Sequence, residues 1–276
     1  NVYDSDRITN LFESKGYKSS DEIKDADIIV LNTCHIREKA AEKVYSDIGR
    51  IKKIKSDLNQ DYKLIVSGCL AQAEGKEIFK RAPNVDFVSG PQSYHKLPDM
   101  LENKTNKIND DFLQNEKFKN LIFKSSNKVS EFVSIQEGCD KFCTFCVVPF
   151  TRGRERSRSL FGILEEAKNA VDQGFKEITL LGQNVNSYKY KDYHFHQLLE
   201  SVAKLDGVER IRYTSPHPQD ITDDLLMIMS EYDNICNYVH LPLQAGSNKI
   251  LNRMNRTYSK EHFLSLATKI KKFSPN

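Results

Sequence analysis

Short apolar runs alternate with amphipathic helical spacing along nearly the whole chain, and this limits its fold more than any other feature. Ile8, Leu11 and Phe12 are helically spaced within Tyr3 to Gly16, and Ala26 to Thr33 then reads as a buried strand running straight into Cys34. Glu38 to Leu58 has the pattern of a long polar helix with a Lys-rich tail at Lys52, Lys53 and Lys55. Tyr62 to Ser67 reads as a strand running into Gly68-Cys69, Lys76 to Arg81 as a short helix, and Val85 to Val88 as a strand. Strands that alternate with helices imply a parallel sheet with helices on its faces. Cys34 and Cys69 both fall where a strand gives way to a loop, which is where open α/β sheets place ligands.

Residues 104 to 130 are rich in Asn, Lys and Ser and lack a clear apolar period, so they read as a linker with some strand content. The alternation then resumes. Phe132 to Ile135 is a strand, and Ser159 to Asp172 a helix with Leu160, Ile163, Leu164, Ala167 and Val171 on one face and Gly174 as its stop. Glu177 to Leu181, Val208 to Tyr213 and Tyr238 to Leu241 read as strands about thirty residues apart, the repeat of a βα unit. Helices fall between and after them at Phe195 to Val202, Ile221 to Tyr232 and Phe263 to Ile270. The expected organisation is an α/β chain: a first α/β domain at 1–103, a linker at 104–130 and βα units of a partial barrel at 131–276. A start at Asn1 and an end on Ser-Pro-Asn after a helix suggest a fragment that lacks its first strand and the end of its barrel.

Charge excludes little: 41 basic and 38 acidic residues give +3, too mild to name nucleic acid as a partner from the total alone. No apolar run approaches the eighteen or so residues of a membrane span. A Lys-rich chain without a leader reads as intracellular, where clustered cysteines bind metal or do redox chemistry more often than they form disulfides. Of six cysteines, Cys139, Cys143 and Cys146 lie on one loop between a strand and a helix. Three thiolates can hold three corners of a cubic iron-sulfur cluster and leave one iron open for a substrate or cofactor. A closed zinc site would want a fourth N or S ligand, and none lies close in sequence. A zinc-stabilised, non-catalytic RNA-binding module is the rival from another class.

The spacing Cys-x3-Cys-x-aromatic-Cys, with Phe145 as the aromatic, resembles the signature of the radical S-adenosylmethionine (SAM) enzymes. The longer string from Glu137 through Cys-Val-Val-Pro-Phe-Thr-Arg-Gly-Arg-Glu-Arg-Ser to Arg158 resembles their methylthiotransferase branch. So do Leu181-Gly-Gln-Asn-Val-Asn-Ser-Tyr188 and His240-Leu-Pro-Leu-Gln-Ala-Gly-Ser-Asn-Lys249. Asn32-Thr-Cys-His-Ile-Arg-Glu-Lys-Ala40 favours the subfamily acting on N(6)-dimethylallyladenosine beside the tRNA anticodon over those acting on threonylcarbamoyl-adenosine or a ribosomal protein. The resemblance spans the whole chain. It implies a Rossmann-like first domain and a radical SAM barrel, two [4Fe-4S] clusters, and SAM. Cys139, Cys143 and Cys146 would hold the cluster from which SAM yields a 5′-deoxyadenosyl radical that takes hydrogen from carbon 2 of the adenine. Cys34 and Cys69 match two of the three ligands of an auxiliary, sulfur-donating cluster, and the third family ligand stands directly before the position of Asn1. The implied partners are tRNA and an electron donor such as flavodoxin or ferredoxin, with a monomer in the cytoplasm and no membrane.

Other candidates come from position. Arg152, Arg154, Arg156 and Arg158 alternate, so an extended segment would aim all four one way, where they could grip tRNA phosphates or the SAM carboxylate. Gln183 and Asn184 stand where radical SAM enzymes commonly carry a Gly-Gly-Glu string that holds the methionine amino group. Ser215 and Gln244 follow the third and fourth barrel strands, at ends where barrel enzymes place functional groups. Cys236 reads as a buried small apolar residue, and no Gly-rich phosphate loop is present.

Overall fold

The computed structural model of the chain describes residues 2–35, 38–103, 107–111 and 129–273. It divides into two compact units, Asn1–Ile122 with Phe150–Arg152, and Phe123–Pro149 with Gly153–Asn276.

In the first unit the order is α1 (Val2–Ser14), β1 (Ile28–Thr33), α2 (Glu38–Asp57), β2 (Lys63–Gly68), α3 (Cys69–Glu74), α4 (Glu77–Arg81), β3 (Phe87–Ser89), α5 (Leu97–Asn103) and β4 (Ile108–Asn109). The strands lie side by side in the order β1-β2-β3-β4, all parallel. Successive strand residues point to opposite faces. Ile28, Val30, Ile65 and Phe87 therefore pack against Ile8 and Phe12 of α1 and Leu97 and Met100 of α5. Ile29, Leu31, Leu64, Val66 and Val88 meet Ile48, Ile51, Ala71 and Ile78 on the other side. The result is a three-layer, Rossmann-like α/β/α unit. Two helices were not legible, α3, which begins directly at Cys69 where a loop was expected, and α5, while β4 is a short strand inside the expected linker, of which 104–106 and 112–128 lie outside the described residues. Lys55, expected on an exposed basic tail, is buried and donates to the Lys24 carbonyl and Gln60 Oε1, each at 3.0 Å.

The second unit comprises β5 (Ser130–Ser134), β6 (Gln136–Glu137), α6 (Val148–Thr151, which ends in the first unit), β7 (Arg156–Ser157), α7 (Leu160–Asp172), β8 (Glu177–Leu181), β9 (Lys189–Tyr190), β10 (Tyr193–His194), α8 (Phe195–Ala203), β11 (Arg210–Tyr213), α9 (Asp223–Glu231), α10 (Asn248–Arg253) and α11 (Lys260–Phe273). A parallel sheet β11-β8-β5 has β8 at its centre. Its core joins Val133, Ile178, Leu180 and Ile211 to Ile163 and Ala170 of α7, Leu198 and Val202 of α8, and Leu225 of α9. The start of α7 is capped by Ser159, whose Oγ accepts from the Gly162 N–H at 3.2 Å. Its stop is Gly174 at φ 96°, a left-handed conformation that suits glycine.

The fourth strand expected at Tyr238 to Leu241 is not there. Pairing with β11 is set earlier in the chain, by one parallel bridge between Ile211 and Ile235 and by Cys236 N–H donating to the Ile211 carbonyl at 3.0 Å, a register that puts Tyr238 past the end of β11. Tyr238 and His240 are exposed beyond it, so that run has no second layer against which to alternate, and Pro242 offers no N–H. Among the described residues no helix is long and apolar enough to cross a membrane.

Leu180 is fully buried at the centre of this sheet. Leu180→Ala is expected to cost about 2–5 kcal/mol of unfolding free energy, read as a lower urea midpoint.

Candidate metal centre

The antiparallel ladder of β6 with β7 pairs Gln136 with Ser157 and Glu137 with Arg156, closing residues 138–155 into a loop at the carboxyl end of β5. Gly138, at φ 76°, begins it. A Cβ there would sit 2.1 Å from the Arg154 carbonyl oxygen and 2.5 Å from that of Gly153, so the two arms approach only because the side chain is absent. Cys139 N–H donates to the Gly153 carbonyl at 3.2 Å, and Cys146 N–H to the Cys143 carbonyl at 2.9 Å. Cys143 is buried and Cys139 and Cys146 half-buried. Burial pushes the Cys139 thiol up to about 11, with the charges of Glu155, Cys146 and Cys143 adding and a backbone hydrogen bond from Lys141 opposing. Burial also raises the Cys146 thiol, with Cys143 adding. Cys139 and Cys146 are thus held neutral in a poorly solvated loop, and only a cationic centre that binds them as thiolates offsets the cost of their burial. Among the described residues no group of three His, Cys, Asp or Glu stands ready as a metal site. The loop gathers the donor set and leaves its final geometry to the ligand.

A buried carboxamide holds this loop to the sheet. Gln136 Oε1 accepts from the N–H groups of Gln183 at 2.9 Å and Asn184 at 3.2 Å, and its Nε2 donates to the Gly138 carbonyl at 2.7 Å. Gln183 Oε1 returns the link by accepting from Gly138 N–H at 2.7 Å. Asn184, also buried, donates to Asp220 Oδ2 at 2.9 Å, and Lys141 on the cysteine loop pairs with the same carboxylate at 2.8 Å. The side chains of Gln183 and Asn184 are therefore engaged in positioning the loop. Phe145 is exposed on it. Ser215 and Gln244 are exposed as well, and both hold positive φ, 59° and 71°, as does Phe142 at 48°. Such non-glycine strain costs on the order of 1–3 kcal/mol each and concentrates at ligand sites.

The arginines do not form the one-sided row expected. Arg152 follows α6 and Gly153 takes φ 80°, so the segment is not continuously extended and only Arg156–Ser157 is strand. Arg152 is buried within the first unit on Asp4 at 2.7 Å. Arg158 is buried on Glu166 and the Ser134 carbonyl. Arg156 lies 4.0 Å from Glu137, and exposed Arg154 binds Asp140 Oδ1 and Oδ2 at 2.7 and 3.1 Å. A cation buried on an internal carboxylate is withdrawn from solvent and from any phosphate.

In the first unit, Thr33 pairs with Gly68 at the carboxyl ends of β1 and β2, so Cys34 and Cys69 occupy adjacent positions on one sheet edge. Gly68, at φ 94°, makes this possible: a Cβ there would sit 2.4 Å from the Thr33 carbonyl oxygen. His35 Nδ1, one residue after Cys34, and Ser67 Oγ, two before Cys69, are buried without a hydrogen-bond partner. Two neighbouring thiols and two unsatisfied polar atoms suit a polar or metallic occupant at this edge.

Residues outside the sequence reading complete the second-unit site. Gln136 is invisible as an isolated polar residue after a strand, although a glutamine between Ile135 and the glycine-cysteine pair marks a place where a carboxamide must be satisfied. Asp140, Asp220, Asn255 and Arg256 are more than a helix away from their partners or look like ordinary surface charges. Arg256 Nη1 donates to Cys143 Sγ at 3.3 Å across 113 positions.

The radical SAM superfamily model matches residues 133–276, more than half of the chain, and the chain belongs to that superfamily. Its [4Fe-4S] cluster and SAM are the cofactors of this unit, and the three thiols of the cysteine loop fit that cluster in number and kind. A model described as uncharacterized protein family UPF0004 matches residues 1–90. Over the whole chain the sequence is 48% identical to a tRNA-2-methylthio-N(6)-dimethylallyladenosine synthase of Cereibacter sphaeroides and 50% identical to one of Bartonella quintana. It is 47% identical to one of Orientia tsutsugamushi. The chain spans 64–65% of the length of these relatives. Among solved structures it resembles a radical S-adenosylmethionine methyltransferase, TsrM, from Kitasatospora setae, in a form with cobalamin and a [4Fe-4S] cluster bound. The TM-score is 0.68 at 12% identity, over 99% of this chain and 64% of that one, a likeness of fold.

Two predictions follow from the buried groups. Arg158→Met removes the cation that pairs with the buried Glu166 and should cost about 3–5 kcal/mol in urea unfolding, whereas Arg154→Met, at the surface, should leave the midpoint nearly unchanged. Burial, with Arg256 and Lys141 adding and Asp220 opposing, pushes His217 down from 6.5 to about 4. Protonation then favours the unfolded chain, so the stability His217 contributes is whole above pH 6.5 and lost as pH falls toward 4. The gap in urea midpoint between the wild type and His217→Gln should narrow across that window, and NMR should find the His217 ring neutral at pH 5.5.

Proposed function

We propose that this chain is the catalytic part of a methylthiotransferase that acts on carbon 2 of N(6)-dimethylallyladenosine next to the tRNA anticodon. The observation that carries the reading is 47–50% identity, along the whole chain, to relatives bearing that name. A [4Fe-4S] cluster supplies the electron that cleaves SAM reductively and so begins hydrogen abstraction from the base. Cys139, Cys143 and Cys146 would hold it as thiolates. Gln136 and Gln183 fix the first residue of the loop, and Asp220 neutralises Lys141 within it. Phe145 offers an exposed aromatic face beside Cys146, and Ser215 and Gln244, held in strained backbone, offer polar groups to SAM. Of the four arginines, only Arg154 and Arg156 remain as candidates for tRNA phosphate or the SAM carboxylate.

Cys34 and Cys69 are proposed as two ligands of the auxiliary, sulfur-donating cluster, supported by their adjacent places on the edge of the first sheet. The domain organisation proposed is 1–103, a linker at 104–130 and the barrel at 131–276. The proposed setting is a cytoplasmic monomer that takes electrons from a flavodoxin or ferredoxin.

After anaerobic reconstitution with iron and sulfide the protein should be brown and should convert SAM to 5′-deoxyadenosine and methionine under dithionite. Cys143→Ala should abolish that product. Mass spectrometry of tRNA nucleosides from cells expressing the gene should show the methylthio group on dimethylallyladenosine. A methylthio group on threonylcarbamoyl-adenosine or a ribosomal protein instead would overturn the substrate assignment, and a colourless zinc protein inert toward SAM would overturn the reaction.

A further inference from the structure

We propose that the turn after α10, Met254–Asn255–Arg256, is the second wall of the cluster site. It shapes the cysteine loop before iron arrives, and Arg256, acting on Cys143, raises the reduction potential of the cluster held there.

The turn touches the loop at four consecutive residues. Thr144 N–H donates to the Met254 carbonyl at 3.2 Å, and Thr144 Oγ1 to the Arg253 carbonyl at 3.1 Å. Asn255 Nδ2 donates to the carbonyls of Phe142 at 2.9 Å and Lys141 at 3.3 Å. Arg256 Nη1 donates to Cys143 Sγ at 3.3 Å. Asn255 has φ 53°, a conformation in which asparagine is enriched among non-glycine residues, and this lets one short turn present a carbonyl, an amide and a guanidinium to the same loop. Phe142, at φ 48°, is the strained residue that Asn255 clasps. Arg256 is itself immobilised. Its N–H donates to the Leu251 carbonyl at 2.9 Å, its Nε to Tyr258 Oη at 3.1 Å, and its guanidinium lies 5.0 Å from the centre of the buried Tyr258 ring. Tyr258 Oη is anchored in turn on the carbonyls of Pro242 and Leu243.

A guanidinium carries its charge at every working pH. A fixed cation that also donates N–H to a ligating sulfur stabilises the more negative, reduced cluster, and hydrogen bonds to cluster sulfurs are among the levers that set such potentials. The nearby Lys141 is offset by Asp220, which leaves Arg256 as the cation in contact with a loop sulfur among the described residues. Arg256 is thus a positioning and tuning residue. The inference rests on the cluster at Cys139, Cys143 and Cys146 and not on which nucleoside is modified.

The test uses the full chain carrying Cys34→Ala and Cys69→Ala, so that one cluster is observed, with iron per chain and an EPR-monitored redox titration as readouts. Arg256→Met is expected to hold its iron but, at the parent midpoint potential, to show a reduced-to-oxidised ratio about tenfold lower, which is ~59 mV for one electron. Arg256→Lys should recover most of that shift. An unchanged midpoint in Arg256→Met overturns the tuning role. If Arg256→Met loses iron, Arg256→Lys is compared with Arg256→Gln, and equal midpoints with and without the positive charge overturn it. Asn255→Gly keeps the turn conformation and removes the clasp. It should take up iron several-fold more slowly with an unchanged midpoint, and parental uptake overturns the shaping role. A parent chain that binds no iron overturns the cluster assignment itself, a result distinguishable from all of these.

Discussion

One buried carboxamide ties the chemistry of the second unit to its sheet. Gln136 lies between the first barrel strand and the cysteine loop, fully covered, and must satisfy both ends of its amide away from water. It does so by accepting from two consecutive N–H groups after the central strand and donating to the carbonyl at the start of the loop. Because Gln183 also accepts from Gly138 N–H, the beginning of the loop and the end of the central strand are locked by reciprocal bonds. The placement of Cys139, one residue further, depends on that lock, as does the close approach of the loop's two arms at a glycine with no room for a Cβ. Parallel strands supply the stage, since the ends of β5, β8 and β11 all open on one side.

The basic residues show how burial redirects a charge pattern. Four arginines spaced by two would share a face in an uninterrupted strand, but a helix end and a left-handed glycine break the segment. Arg152 and Arg158 then stabilise structure by pairing with Asp4 and Glu166 in places where an unpaired carboxylate would be costly. The cation that does reach a loop sulfur, Arg256, comes from a turn 113 residues beyond its partner. Spacing alone cannot separate a charge that faces a ligand from one that closes an internal pair.

The fold class was legible because apolar periodicity reports local geometry: Glu177–Leu181 appears as the strand read from sequence, and α7 has the cap at Ser159 and the stop at Gly174 that its ends imply. Legibility failed where pairing partners decide. Residues 238–241 have a strand's composition but fall past the end of β11 at the register of the Ile211–Ile235 bridge, while Ile108–Asn109 is a strand where β3 offers it an edge. The donor thiols of the cysteine loop were legible as a set because their spacing is local, and superfamily membership followed from the same segment. The groups that hold them, Gln136, Asp220, Asn255 and Arg256, carry no local signature.

By itself the amino-acid sequence determined the alternating α/β architecture, the gathering of three thiols on one loop and the superfamily. Each of these is written in neighbours a few residues apart, where steric and periodic rules act directly. Only the tertiary structure decided which polar side chains brace that loop, which arginines are spent on buried carboxylates, and that Cys34 and Cys69 each follow a residue of the Thr33–Gly68 pair at the ends of adjacent strands. Those outcomes depend on contacts between distant segments and on which groups lose access to water, and no local rule contains either.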